Sequence, residues 1–144
     1  MKCGIDPGRY KIGFALAEDG RLLFSAIIPK AEEEKLREAI AGENWMLLEL
    51  WRREGSLVNL SGRKLEKICV GDGTSSSEIM GLLGNEINAE LVDEKHSTLE
   101  GRRLYWILHP PIGLWRLVPV SLRIPPRDID DLAAWSLIKD PLCS

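Results

Sequence analysis

Apolar residues fall in short, dense runs at the start of the chain and at helical spacing further on. Lys2–Asp6 is short and largely apolar, Lys11–Ala17 reads KIGFALA, and Arg21–Pro29 reads RLLFSAIIP. Each is a strand signal. Asp19-Gly20, between the second and third, is a hairpin turn pair. Three strands with connections this short predict an antiparallel meander. The period then changes. Between Ala31 and Glu54 the apolar residues Leu36, Ala39, Ile40, Leu47, Leu50 and Trp51 fall roughly on one helical face, and Gly42 divides the stretch into two helices.

Ser61–Lys67 is polar and leads into a short buried strand, Ile68-Cys69-Val70, which ends in Gly71-Asp72-Gly73-Thr74. The serines at 75 to 77 supply N-caps for a helix through Ile79–Leu83. Ala89–Val92 is a further strand, closed by Asp93-Glu94. Ser97-Thr98-Leu99-Glu100 has the form of a capping box for a helix to about Leu108. The proline-rich stretch Pro110–Pro126 predicts an extended loop over the core, and Asp128 to about Lys139 a last helix stopped before Pro141. The order βββ-α-β-α-β-α-α predicts an α/β fold with a mixed sheet, in one domain spanning residues 1–144.

Composition narrows the function classes. With 44% hydrophobic and 28% charged residues, the chain is an ordinary globular one, and no run approaches the roughly 18 apolar residues of a membrane span. Asp6 falls where a signal peptide needs its apolar stretch, so a cytoplasmic protein with no membrane partner is expected. Cys3, Cys69 and Cys143 are odd in number, far apart and without a C-x-x-C pair. That argues against a disulfide framework and against zinc, and it predicts small buried side chains at Cys3 and Cys69. A net charge of −3 argues against a nucleic-acid coat protein, yet Lys95–Arg127 holds six lysines and arginines against one acid, Glu100. One basic face on an acidic chain is compatible with a nuclease.

Acidic residues recur where strands should stop: Asp6 after the first, Asp72 after the fourth, Glu94 after the fifth, and Asp128, Asp130 and Asp131 at the opening of the last helix. Parallel strands bring such C-terminal ends side by side. Converging carboxylates repel unless a cation neutralises them. Oxygen ligands without histidine or cysteine suit Mg²⁺ or Mn²⁺, and two such ions can activate water and stabilise the leaving oxygen of a phosphodiester. No Ser-His-Asp or Cys-His arrangement competes, and His96 and His109 have no obvious partner in sequence.

The same residues resemble a family. Gly4-Ile5-Asp6-Pro7-Gly8 followed by Lys11-Ile12-Gly13-Phe14-Ala15-Leu16-Ala17 is similar to the opening of YqgF (RuvX) proteins and, more distantly, RuvC resolvases. Leu91–Glu100 looks like that family's D-E-R-x-[ST]-T signature, and Asp131-Leu132-Ala133-Ala134 like its closing acidic helix. The resemblance implies an RNase H-like fold with a central five-stranded mixed sheet, and a metal-dependent nuclease linked to precursor 16S rRNA 5′-end processing and to Holliday-junction-like substrates. It makes Asp6, Glu94 and Asp131 the catalytic carboxylates. Asp128, one helical turn before Asp131, should face the same way, and Asp130 elsewhere. Lys95 stands where the family has arginine. The fourth-strand loop is compressed to Gly71–Thr74, which leaves open whether Asp72 or Glu94 is the main second metal ligand.

Phosphate contacts are expected from Arg9, Lys11, Lys95, Arg102, Arg103, Arg116, Arg123 and Arg127. Trp115 or Tyr105 could stack on an unpaired base, whereas Trp106 and Trp135 are expected in the core. RNA and branched DNA, endo- and exonuclease, monomer and homodimer all stay open. Two other classes compete. Gly-x-Asp-x-Gly also occurs in the actin, Hsp70 and sugar-kinase ATPases, which need two such domains and a far longer chain. A catalytically inactive nucleic-acid-binding or interaction module is the second.

Overall fold

The computed structural model describes residues 1–143 except Glu86, Glu94 and His96. Six strands form one mixed sheet: β1 (Lys2–Pro7), β2 (Lys11–Glu18), β3 (Arg21–Pro29), β4 (Arg52–Gly55), β5 (Lys67–Gly71) and β6 (Ala89–Val92). Their order is β4-β3-β2-β1-β5-β6. The β1-β2-β3 meander is antiparallel and β4 adds an antiparallel edge. β5 and β6 run parallel to β1. Asp19 and Gly20 both take positive φ, as the predicted hairpin requires.

The sheet therefore has six strands, not five. β4 lies inside the stretch expected to be helical to Glu54. Arg52-Arg53-Glu54-Gly55 carries no apolar alternation because it is a mostly exposed edge strand. The preceding segment divides at Gly42 as expected, into helix α1 (Glu33–Ala41) and a 3₁₀ turn (Trp45–Trp51). The remaining helices are α2 (Ser76–Leu83), α3 (Ser97–Leu108) and α4 (Asp130–Lys139). Among the described residues, no helix is long and apolar enough to cross a membrane.

The two faces of the sheet are built from different side-chain sizes. Ile5, Ile12, Phe14, Leu16, Phe24, Ile28, Ile68 and Val70 point to one face, where α1, α2 and Trp45 cover them. The other face presents Gly4, Gly13, Ala15, Ala17 and Ser25 under α3 and α4. With so little side chain between them, α4 lies directly on the backbone of β1 and β2. A Cβ at Gly4 would stand 2.0 Å from the Ala134 carbonyl oxygen, and one at Gly13 would stand 1.9 Å from that of Asp130. Gly101 of α3 meets Ala133 in the same way, 3.0 Å from its amide nitrogen.

Two further expectations are corrected. Cys69 and Cys143 form a disulfide, with Cα atoms 5.9 Å apart. Cys69 faces α4, and the turn Pro141–Cys143 folds back from the end of that helix to meet it beside Val92 and Leu137. Only Cys3 is free, and it is buried. The cysteines consequently give no support to a reducing compartment. The 110–126 segment is not a plain extended loop: it forms two 3₁₀ turns, Gly113–Leu117 and Val120–Leu122. Arg102 and the Trp106 indole, both on α3, donate to the carbonyls of Ser121 and Arg123 and tie it down. Ile112, Leu114, Trp115 and Leu117 remain exposed.

Gly13→Ala is expected to lower unfolding free energy by about 1–3 kcal/mol, because backbone rather than a flexible side chain must give way. Gly81→Ala, whose new Cβ meets nothing within 4 Å in α2, should be neutral or stabilise by about 0.5–1 kcal/mol. Urea titration of the two variants beside the parent checks both.

A candidate carboxylate cleft at the edge of the parallel strands

β1, β5 and β6 run the same way, so Asp6, Asp72 and Asp93 reach the same edge of the sheet. Asp6 shares parity with Gly4 and so lies on the α4 face. It lines a cleft of about 430 Å³ together with Asp128, Asp130, Thr98, Arg102 and Arg127. Ile124, Pro125 and Pro126 form its outer wall. Here the small-residue contact of α4 matters directly. The Asp130 backbone sits on Gly13, which pairs with Asp6 across β1 and β2.

Lys11 opens β2 at the same edge, where its carbonyl accepts a 3.0 Å hydrogen bond from Gly8 N–H. Its ammonium Nζ is 2.7 Å from Asp128 Oδ2 and 3.3 Å from Asp130 Oδ2. The Asp128 hydrogen bond holds the lysine above its ordinary pKa, and Asp130 adds to this against the opposing effect of burial. Reciprocally, Lys11 holds the Asp128 carboxyl below the usual range.

Asp131 is placed otherwise than the sequence suggested. It is fully buried, accepting 2.6 Å from the Ser25 hydroxyl and 2.8 Å from Arg127 Nη1. Arg127 also donates to Glu54 on β4 at 2.9 Å, and His109 Nε2 lies 2.6 Å from the same Glu54 oxygen. The guanidinium stands over the Tyr105 ring at 5.6 Å. Ser25, Asp131, Arg127, Glu54 and His109 thus form one chain of charge and hydrogen bonds behind the cleft. The expectation that Asp128 and Asp131 share a face fails because the helix begins at Asp130. Asp128 precedes it, and Asp128 and Asp130 are the pair that turns to the cleft.

Burial pushes the Glu54 carboxyl up, but the hydrogen bonds and charges of His109 and Arg127 outweigh it and hold the group below the usual carboxylate range. For Arg127, burial works downward and is outweighed by Asp131 and Glu54, which keep the guanidinium above its ordinary value.

The other expected residues are dispersed. Asp72 is exposed and does not line the cleft. It continues the parity of Ile68 and Val70 toward the α1–α2 face, and its amide bonds the Val92 carbonyl. Glu94 lies outside the described residues. Of the expected phosphate ligands, Arg102 and Arg127 line the cleft, Arg127 already paired with Asp131 and Glu54, while Lys11 does not line it and pairs with Asp128 and Asp130. Arg103 pairs with Glu100, Arg116 donates to the Pro111 carbonyl, and Arg123 donates to that of Val118 and covers the Trp106 ring. Lys95 lines a separate depression with Ser97, Glu100 and Asp140, and Arg9 is exposed outside the cleft. Tyr105 is buried and unavailable for base stacking, whereas Trp115 is half exposed. Trp135 is in the core as expected, and Trp106 packs partly buried against it.

Of the described residues, three carboxylates and no imidazole or thiol line the cleft, a donor set that suits a hard divalent cation. Among the described residues, however, no group of three or more histidine, cysteine or acidic side chains is already spaced to hold one. Sequence reasoning missed Ser25 and Glu54. A polar Ser25 inside the apolar run LLFSAII was the one signal available for either. Comparison with known proteins adds no relative: no protein-family model and no curated protein matches the chain.

Arg127→Ala strands the buried Asp131 carboxylate and is expected to cost about 3–5 kcal/mol in urea unfolding. Because the folded pKa of Glu54 is lowered, its contribution is complete above the ordinary carboxylate range and is lost as pH falls through the folded value. Glu54→Gln should therefore weaken the protein at neutral pH and flatten its loss of stability between about pH 5 and pH 3. An unchanged acid limb in that variant would contradict the assignment.

Proposed function

We propose that the protein is a divalent-metal-dependent nuclease of the RNase H-like type that hydrolyses phosphodiester bonds in structured nucleic acid. The substrates implied by the YqgF (RuvX) resemblance are the 5′ end of precursor 16S rRNA and Holliday-junction-like DNA. The observation that carries the proposal is Asp6 at the end of the central strand β1, lining one cleft with Asp128, Asp130 and Arg102. The strand order β3-β2-β1-β5-β6, three antiparallel and two parallel, supports the RNase H-like assignment, with β4 as an added edge.

In this proposal Asp6 and the Asp128–Asp130 pair hold Mg²⁺ or Mn²⁺, and Glu94 joins them on the strength of its sequence motif. A bound cation would supply water activation and charge stabilisation at the leaving oxygen. Arg102 donates to a phosphate from the opposite wall. Thr98, next to it on the same wall, offers a hydroxyl for orienting the strand. The cleft volume of about 430 Å³ is in the range of sites that take small organic groups, enough for the nucleotide that carries the scissile bond.

One observation favours the second class, a binding module without catalysis. Asp128 and Asp130 already share the Lys11 cation, and Asp131 is satisfied by Ser25 and Arg127. Carboxylates neutralised from within can remain clustered without any metal.

The test is cleavage of end-labelled precursor 16S rRNA fragments and four-way DNA junctions in Mn²⁺ or EDTA, beside Asp6→Asn. The expected outcome is Mn²⁺-dependent cutting that falls at least about a hundredfold in the variant, with its urea midpoint unchanged or raised. Tight binding without cutting would move the assignment to the binding module. Equal cutting by Asp6→Asn would remove the cleft from the chemistry.

A further inference from the structure

Hydrophobic side chains on the outside of the protein are concentrated in one place. Of the fifteen large ones exposed among the described residues, eight lie between Ile107 and Ile124. Their backbone is held. Arg102 and the Trp106 indole of α3 donate to the Ser121 and Arg123 carbonyls, and within the segment Arg116 and Arg123 donate to those of Pro111 and Val118. With the frame tied to α3 in this way, Ile112, Leu114 and Leu117 still stand 82%, 81% and 83% exposed. Leu114 and Leu117 are three residues apart in the 3₁₀ turn Gly113–Leu117, so they project from the same side. Side chains this bare add little to the fold, and apolar exposure grouped in this manner marks a contact surface.

Charge narrows what the contact is with. Residues 101–127 include five arginines and no acid, in a chain whose net charge is −3. Arg116 and Arg123 donate to backbone carbonyls, and among the described residues neither pairs with an acid. A second copy docked about a two-fold axis would set these arginines against their own kind. Leucines bare on nearly all sides fit a medium that closes around them, which hydrocarbon does and a folded partner's surface does not. Trp115, half exposed in the same turn, is of the residue type enriched where membrane meets water. We propose that the 112–117 turn docks the protein on an anionic lipid surface. Ile112, Leu114 and Leu117 enter the boundary between headgroups and acyl chains, and Arg116 and Arg123 meet lipid phosphates. No described helix is long and apolar enough to cross a membrane; this contact lies against one leaflet and needs no span. The acidic remainder of the chain is repelled by the same surface, which orients the turn toward it. The contact is independent of the nuclease proposal.

Co-sedimentation of the full chain with vesicles tests this, without nucleic acid or metal. One set is phosphatidylglycerol with phosphatidylcholine, the other phosphatidylcholine alone. The parent is expected to pellet with the anionic vesicles and to stay in solution with the neutral ones. Leu114→Ser/Leu117→Ser should lower partitioning at least about tenfold. Its urea midpoint should be unchanged, since both side chains are exposed in the parent. Arg116→Gln should weaken binding by less, about fivefold. No pelleting with the anionic vesicles overturns the proposal. So does pelleting that the double serine variant retains in full, which would leave charge alone as its cause. Sedimentation velocity supplies the remaining alternative. A dimer of the parent that the double variant loses, with no vesicle binding, would make the face a contact between copies and overturn lipid docking.

Discussion

The structure depends on how closely α4 approaches the sheet. Gly4 and Gly13 have no side chains, and the helix brings the backbone of Ala134 and Asp130 to them, so backbone meets backbone where most α/β contacts are separated by aliphatic groups. Most of the large sheet side chains lie on the opposite face, with Phe14, Phe24, Ile5 and Ile28 under α1 and α2. This division of sizes decides more than packing. It sets the start of α4 beside the end of β1, which brings Asp128 and Asp130 into one cleft with Asp6. A helix held even one methyl group further out would separate these acids.

Charge in this region is balanced by the protein itself. On the cleft side Lys11 serves Asp128 and Asp130; behind it Arg127 serves Asp131 and Glu54, with Ser25 and His109 completing the hydrogen bonds. The rear network is rooted in the buried Ser25 and Asp131 and links β3, β4, α4 and the residues on either side of the 110–126 segment, so its role is to hold the wall of the cleft in register. The front pair is more exposed. The two clusters thus differ in setting, the rear one built on a fully buried carboxylate and the front one lying nearer solvent.

Much of this was legible from residue order. β3 and β6 have the predicted boundaries, and β1, β2 and β5 differ by a residue or two, because buried strands leave dense apolar runs. Asp6 could be singled out since an acid ending such a run has little structural use. β4 was hidden because Arg52–Gly55 is an edge strand with no apolar face. The fates of Asp130 and Asp131 were exchanged because they follow from a two-residue difference in where α4 begins. The Cys69–Cys143 bond and the Ser25–Asp131 contact join residues 74 and 106 positions apart, separations on which local periodicity carries no information.

The central proposal is that the Asp6 cleft, shaped by the α4 contact, takes a divalent cation. Crystals grown with Mn²⁺ and measured for anomalous scattering would test it most directly. The account predicts a peak within coordination distance of Asp6 and of Asp128 or Asp130. A well-ordered structure with no anomalous peak in the cleft at saturating Mn²⁺ would contradict it.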